Sequence, residues 1–112
     1  MPVVQLANGA SCGRYGAPME LGELQRRIAA TYGQQDRARG VPATVAWLTE
    51  ELGELAQAAR KGTADEQLHE LGDVLAWVAS LAEQLGLSLE DAMARYADGC
   101  PRCGSCPCVC GP

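Results

Sequence analysis

The sequence predicts an all-α protein with a single main domain. Alanine and leucine dominate a composition that is 47% hydrophobic but only 4% aromatic, with no Phe, and this balance favours helices over sheets. Apolar residues recur every three or four positions in successive segments, and capping residues and glycines separate those segments. A length of 112 residues suits one domain.

The periodicity predicts three main helices and a short fourth. The first runs from about Glu20 to Tyr32 with Gly33 as its C-cap, and the polar residues 34–40 are expected to form a loop. The second begins near Pro42 and ends before Gly62. Its apolar stripe is Val45, Leu48, Leu52, Leu55 and Ala59.

The third helix begins with a capping box at Thr63 and ends before Gly86. The fourth helix is capped by Ser88, with Asp91 three positions later. The stripe of the third helix is Leu68, Leu71, Leu75, Val78, Ala82 and Leu85. A core of leucine and alanine is thin for a chain of this size, so we expect an oligomer.

Composition and charge exclude several classes of partner. A formal net charge of −5 does not suit duplex nucleic acid, which needs clustered Lys and Arg. No apolar run reaches the length of a membrane span, and Val3 to Leu6 is too short for the apolar core of a signal peptide. We therefore expect a cytoplasmic protein that binds neither nucleic acid nor membrane, with residues 1–18 as a flexible extension.

Two pairs of carboxylates lie on the second and third helices. Glu51 and Glu54 are three positions apart, as are Glu70 and Asp73, so each pair can converge on one ion from one helix face. Oxygen ligands from two helices suit Mg²⁺ or Mn²⁺. Acids on helices are also common as solvated surface, and that alternative stays open on spacing alone.

Glycines and a histidine lie close to the two carboxylate pairs. Gly53 and Gly72 each cost roughly 1 kcal/mol of helix propensity, which suggests a close backbone approach at these positions. The lone His69 is expected to point away from the line of acids.

Candidate substrate contacts lie on the same two helices. Arg60 and Lys61 end the second helix and could hold phosphates, although cations there also suit the helix dipole. Trp47 and Trp77 share the acid-bearing faces and could stack on a base. A core or interface role for either tryptophan is about as good an interpretation.

The arrangement Glu50-Glu51-x-x-Glu54 followed by Glu70-x-x-Asp73 resembles the EExxE…ExxD signature of the MazG-like, all-α nucleoside triphosphate pyrophosphohydrolases. The resemblance runs from about Met19 to Tyr96. It implies a four-helix-bundle-like fold assembled by oligomerisation into dimers or tetramers, with a helical domain over residues 19–98. It also implies Mg²⁺-dependent cleavage of (deoxy)nucleoside triphosphates to monophosphate and pyrophosphate, in the role of nucleotide-pool clean-up.

The same resemblance implies roles for the individual acids. Glu51, Glu54, Glu70 and Asp73 would be the metal ligands. Glu50 would be a further ligand or would orient the attacking water, and we assign it the role of general base because it is the acid outside both pairs.

A cysteine-rich tail occupies residues 99–112. Cys100-Pro-Arg-Cys103-Gly is a turn that aims two thiolates at one ion, and three further cysteines follow; four thiolates suit a structural zinc site. The tail also resembles the CPxCGxxPCxC ending of some MazG-like proteins, which implies Cys100, Cys103, Cys108 and Cys110 as ligands and leaves Cys106 as a departure from the pattern. An iron–sulfur site, disulfides and a disordered tail are the alternatives.

A second function of a different class fits the same features. The chain could be a non-catalytic helical interaction module whose zinc-binding tail mediates contacts. Turnover of a nucleoside triphosphate in the presence of Mg²⁺ distinguishes the two.

Overall fold

The computed structural model describes residues 17–112, and this part of the chain is all-helical as predicted. The expected extension lies almost entirely outside the described residues. Among the described helices, none is long and apolar enough to cross a membrane. The elements are α1 (Leu21–Arg39), α2 (Val41–Lys61), α3 (Ala64–Leu85) and α4 (Leu89–Met93), with a 3₁₀ turn at Ala94–Tyr96.

The boundaries of α2, α3 and α4 follow the predicted capping chemistry. The backbone N–H of Glu66 donates to Thr63 Oγ1 at 3.2 Å, and that of Asp91 donates to Ser88 Oγ at 3.2 Å. Gly86 ends α3 in the left-handed conformation, with a φ of 69°, which favours glycine because it lacks a Cβ.

The predicted end of α1 at Gly33 is wrong, because the helix continues through residues 34–39. Gly33 and Asp36 are buried inside it. Asp36 accepts a 2.7 Å hydrogen bond from Arg39 one turn later, which stabilises the polar segment as helix. The turn occurs at Gly40 instead, where φ is 87°.

The core is built from small side chains around α3, which packs against both α1 and α2. Alanines allow the helix axes to approach closely, and polar bonds join the ends of the helices. Gln84 Nε2 donates to the buried Thr44 Oγ1 at 2.7 Å, and Leu89 N donates to Gln25 Oε1 at 2.8 Å. The buried apolar residues are Ile28, Ala58, Val74, Ala76, Ala79 and Ala82.

Much of the predicted leucine stripe lies on the outside of the single chain. Leu52 is 50% exposed and Leu71 is 45% exposed, whereas Glu51, Glu70 and Asp73 are partly buried. The acid-bearing faces of α2 and α3 therefore turn inward. The outer surface, here called the leucine face, comprises Val45, Leu52, Leu68, Leu71 and Leu75.

The close backbone approach expected at Gly53 and Gly72 is not present within the described chain. A Cβ placed on either residue would meet no atom within 4 Å. These glycines are therefore not required by packing inside one chain.

Candidate metal centre and nucleotide site

Three predicted acids meet between α2 and α3. The two helices are joined by a short connection at residues 62–63 and pack as an antiparallel hairpin. Glu51, Glu70 and Asp73 each place a carboxylate oxygen within 4.8 Å of the others. This is a spacing from which one cation could accept all three oxygens.

The fourth predicted acid, Glu54, adjoins this group. Its carboxylate is close enough to those of Glu51 and Glu70 to raise the pKa of both. All four predicted acids are thus brought together, with Glu54 on the exposed side.

The electrostatics of the cluster are unfavourable without a cation. Burial raises the pKa of Glu51, and the charges of Glu54, Asp73 and Glu70 raise it further. Burial and then the charge of Glu54 also raise the pKa of Glu70. In addition, Oε2 of Glu51 and Oε2 of Glu70 are buried without a hydrogen-bond donor, so these two oxygens fit a metal ion.

His69 differs from its expected orientation. Its Nε2 lies 3.4 Å from Asp73 Oδ2, so the imidazole borders the carboxylate cluster instead of pointing away. The i, i+4 spacing permits this contact. Its charge when protonated opposes the rise in the pKa of Glu70.

A cleft of about 500 Å³ opens beside the acids, toward the end of α2. Glu54, Lys61 and Glu70 are among the residues that line it. The predicted contact Arg60 is exposed and does not line this cleft, and Glu50 is exposed outside the three-carboxylate cluster. Lys61 is therefore the predicted cation that the structure brings to the acids.

The two tryptophans lie together at the opposite end of the cluster. The rings of Trp47 and Trp77 are nearly parallel, at 9°, with centroids 6.0 Å apart. The guanidinium carbon of Arg39 lies 4.7 Å from the centroid of Trp77. Asp36, only 2% exposed, bonds to Arg39 and so fixes the cation over the ring.

The C-terminal half of α1 carries further residues of the candidate site, which the spacing of the acids does not indicate. Besides Asp36 and Arg39, these include Tyr32, whose pKa is raised by burial and by the charges of Asp36 and Asp73. Its hydroxyl is buried without a partner. The i, i+3 spacing of Asp36 and Arg39 was the available signal, but it has meaning only if residues 34–39 are helical.

The cysteine tail forms a second cluster. Sγ atoms of Cys100, Cys103, Cys108 and Cys110 all lie within 4.8 Å of one another, and Cys106 lies outside the group. Backbone N–H groups of Val109 and Ser105 lower the pKa of Cys103 to about 6. Side-chain hydrogen bonds with Cys108, Cys103 and Cys100 raise the pKa of Cys110 to about 11, so Cys110 holds its proton within the cluster in the absence of a cation.

These features define an all-helical protein with a carboxylate cluster between two antiparallel helices, flanked by a lysine and a tryptophan pair. The chain matches the MazG nucleotide pyrophosphohydrolase domain over residues 39–102. This match covers more than half of the 112 residues, and the chain belongs to that family. No curated protein matches the chain significantly. Family membership supports nucleotide pyrophosphohydrolase activity in general terms.

Proposed function

We propose that this protein hydrolyses (deoxy)nucleoside triphosphates to the monophosphate and pyrophosphate, with Mg²⁺ or Mn²⁺ held by Glu51, Glu54, Glu70 and Asp73. The observation that carries the proposal is the pair of buried, unpartnered oxygens of Glu51 and Glu70 facing Asp73. A divalent cation bound there would neutralise charge on phosphate oxygens and lower the pKa of a bound water.

We propose that the substrate lies along the helical hairpin, with its phosphates toward Lys61 and its base toward the two tryptophans. Lys61 lies seven positions beyond Glu54 and lines the same cleft, about 10 Å along α2. It would bind the outer phosphates, with exposed Arg60 as a more distant cation. Trp77 lies four positions beyond Asp73 on α3 and therefore at the other end of the acids. The pair Trp47 and Trp77 would stack on the base.

In this orientation the phosphate nearest the nucleoside would lie beside the carboxylates. Attack on it by water would release pyrophosphate, the leaving group, at the Lys61 end. A lysine ammonium near the leaving phosphates would stabilise the negative charge that they gain. Cleavage between the first and second phosphates would result, because the acids would lie at the first phosphate and Lys61 at the outer two.

Glu50 is proposed as the general base. It is exposed on α2 outside the three-carboxylate cluster, and as the acid not needed among the four proposed ligands it would accept the proton of the attacking water. A positioned base contributes about 10²- to 10⁴-fold to rate. Glu50→Gln should therefore lower kcat by at least about 100-fold without loss of metal binding, whereas a rim acid without this role would leave kcat almost unchanged.

The setting of the reaction is also part of the proposal. The leucine face suggests a homodimer or homotetramer, and the role is nucleotide-pool clean-up in the cytoplasm, without nucleic-acid or membrane partners. A reducing compartment agrees with five free cysteines among the described residues.

A panel of nucleoside triphosphates, assayed for pyrophosphate release with and without Mg²⁺, tests the function. We expect turnover of at least one triphosphate that depends on the divalent ion. Absence of turnover of every nucleotide by metal-replete protein would refute the enzyme and favour the non-catalytic helical module.

A further inference from the structure

We infer that Cys100, Cys103, Cys108 and Cys110 form a closed, structural zinc site, with Cys106 outside it. The proposed hydrolysis is not required for this site, because its residues are separate from the carboxylates of α2 and α3. The sequence leaves the choice among Cys106, Cys108 and Cys110 open, and the positions of the sulfur atoms decide it.

The four sulfur atoms have the spacing of a mononuclear tetrahedral centre. Cys100 Sγ lies 3.7 Å from Cys110 Sγ, and Cys103 Sγ lies 3.9 Å from Cys108 Sγ. Zinc–sulfur bonds of about 2.3 Å in a tetrahedron separate the sulfurs by about 3.8 Å. Both measured distances therefore agree with four thiolates around one zinc ion.

The backbone of the first cysteine pair folds as a tight turn around the sulfurs. Gly104 N donates to Cys100 O at 2.7 Å, and Cys100 N donates to Ser105 O at 3.0 Å. Gly104 has a φ of 74°, a conformation that glycine adopts without strain. The turn directs Cys100 and Cys103 to the same side.

Backbone N–H groups also point at the sulfurs. Cys110 N lies 3.3 Å from Cys108 Sγ, and the N–H groups of Ser105 and Val109 approach Cys103. Such donors orient thiolate ligands and partly offset their negative charge. With this support from the backbone, four thiolates and no open position make the site structural instead of catalytic.

The alternatives fit the geometry less well. Disulfide sulfurs are about 2.05 Å apart, much closer than the distances here. An iron–sulfur cluster would hold its thiolates around a larger multi-atom core. The tail also has no apolar core of its own, since its large aliphatic residue Val109 is 72% exposed. A bound ion is therefore the available source of order.

The test is metal analysis of full-length protein purified under reducing conditions, with excess Mg²⁺ present to occupy the carboxylates. We expect about one zinc per chain in the wild type. Cys100→Ser and Cys108→Ser should each lose this zinc, and Cys106→Ser, the matched control, should keep it. Circular dichroism should show the same helix content in all four proteins.

Two further readouts keep the outcome decisive. Cobalt substitution should give the thiolate charge-transfer and intense d–d bands of a tetrahedral sulfur site in the wild type and in Cys106→Ser alone. Of the 6 cysteines, only Cys12 and Cys106 should react rapidly with a thiol reagent until a chelator is added. Metal-free protein, iron in place of zinc, equal zinc in all variants, or free reaction of every thiol would each overturn the inference.

Discussion

Glu51 and Glu70 each bury a carboxylate oxygen that receives no hydrogen bond. An unpaired buried polar group costs about 1–3 kcal/mol, and a charged group costs more. These two oxygens therefore lower the free energy of unfolding of the metal-free chain. The same oxygens are the best available ligands for a cation, so this local cost is tied to the proposed activity.

The pH dependence of stability should reveal this cost. The pKa of Glu51 is raised from its ordinary value of 4.5, first by burial and then by neighbouring carboxylates. The folded state thus holds a proton that the unfolded state has released, and the free energy of unfolding falls as pH rises through the raised pKa. Glu51→Gln removes this contribution. Without metal, the variant should be more stable than the wild type at neutral pH. Its free energy of unfolding should also fall less than that of the wild type as pH rises from weakly acidic values.

Urea denaturation in a chelator over this pH range measures the difference. Glu23→Gln is the control, because Glu23 forms an exposed pair with Arg27 that should contribute little. On addition of Mg²⁺, the wild type and the control should gain more stability than Glu51→Gln. Parallel pH profiles for wild type and Glu51→Gln would contradict the assignment.

In the proposed nucleotide site, the pair Asp36 and Arg39 would act through Trp77, over which Arg39 lies. Asp36→Asn removes the charge that holds the guanidinium over the ring, and Arg39→Lys removes the planar group that stacks there. A cation over an aromatic ring is worth about 0.5–1 kcal/mol. Both variants should raise KM roughly 2- to 5-fold while kcat changes by less than about twofold.

Intrinsic fluorescence provides an independent readout of this pair, because the 2 tryptophans of the chain are Trp47 and Trp77. Both variants should shift the emission, and nucleotide should quench it in the wild type. If KM and emission stay unchanged in both variants, Trp77 does not form part of the base site.

At the scale of elements, the sequence predicts α2, α3 and α4 well because their signals are local. Capping by Thr63 and Ser88 and the stop at Gly86 depend on residues within one helical turn. The end of α1 is not predictable in this way. Gly33 and the polar run after it have the composition of a loop, and only burial of Asp36 against its neighbours reveals the helix.

The incorrect assignment of residues 34–40 as a loop also affects the prediction of the candidate site. The acids Glu51, Glu54, Glu70 and Asp73 are predictable because their spacing is meaningful within each helix. Tyr32, Asp36 and Arg39 reach the site from a third helix, so their role depends on how α1 packs against α3. The expected orientation of His69 is wrong, although its i, i+4 spacing to Asp73 is a local signal of the contact.

The exposed glycine of α2 gives a prediction for this element. Gly53→Ala should stabilise the protein by about 1 kcal/mol, because a Cβ there meets nothing within 4 Å. Gly62→Ala is the matched control and should destabilise, because its Cβ would lie 2.8 Å from Ala58 O. Thermal denaturation measures both, and a less stable Gly53→Ala would show that another surface covers this position.

At the scale of the whole molecule, the inward orientation of the acids and the exposure of the leucine face are two results of the same helix packing. Packing the acid-bearing faces inward leaves Leu52, Leu71 and Leu75 on the surface, each at least 42% exposed. Several large apolar side chains exposed on the same two helices are typical of an interface. Light scattering should give a mass of more than one 11.8 kDa chain.

Leu71→Lys should place a charge on the leucine face and reduce that mass to one chain. Leu87→Lys is the control, since Leu87 is 59% exposed but lies between α3 and α4, away from that face. An unchanged mass in Leu71→Lys, or a monomeric wild type, would exclude the leucine face as the assembly surface.

The most direct measurement is the identity of the products formed from one triphosphate by wild type, Glu54→Gln and Asp73→Asn. With Mg²⁺, the wild type should give monophosphate and pyrophosphate in equal amounts, and chelation should stop the reaction. Both variants should lower kcat/KM by at least about 100-fold while retaining their helix content. Turnover that survives chelation or either substitution, or products that are diphosphate and orthophosphate, would contradict the assignment of the carboxylate cluster.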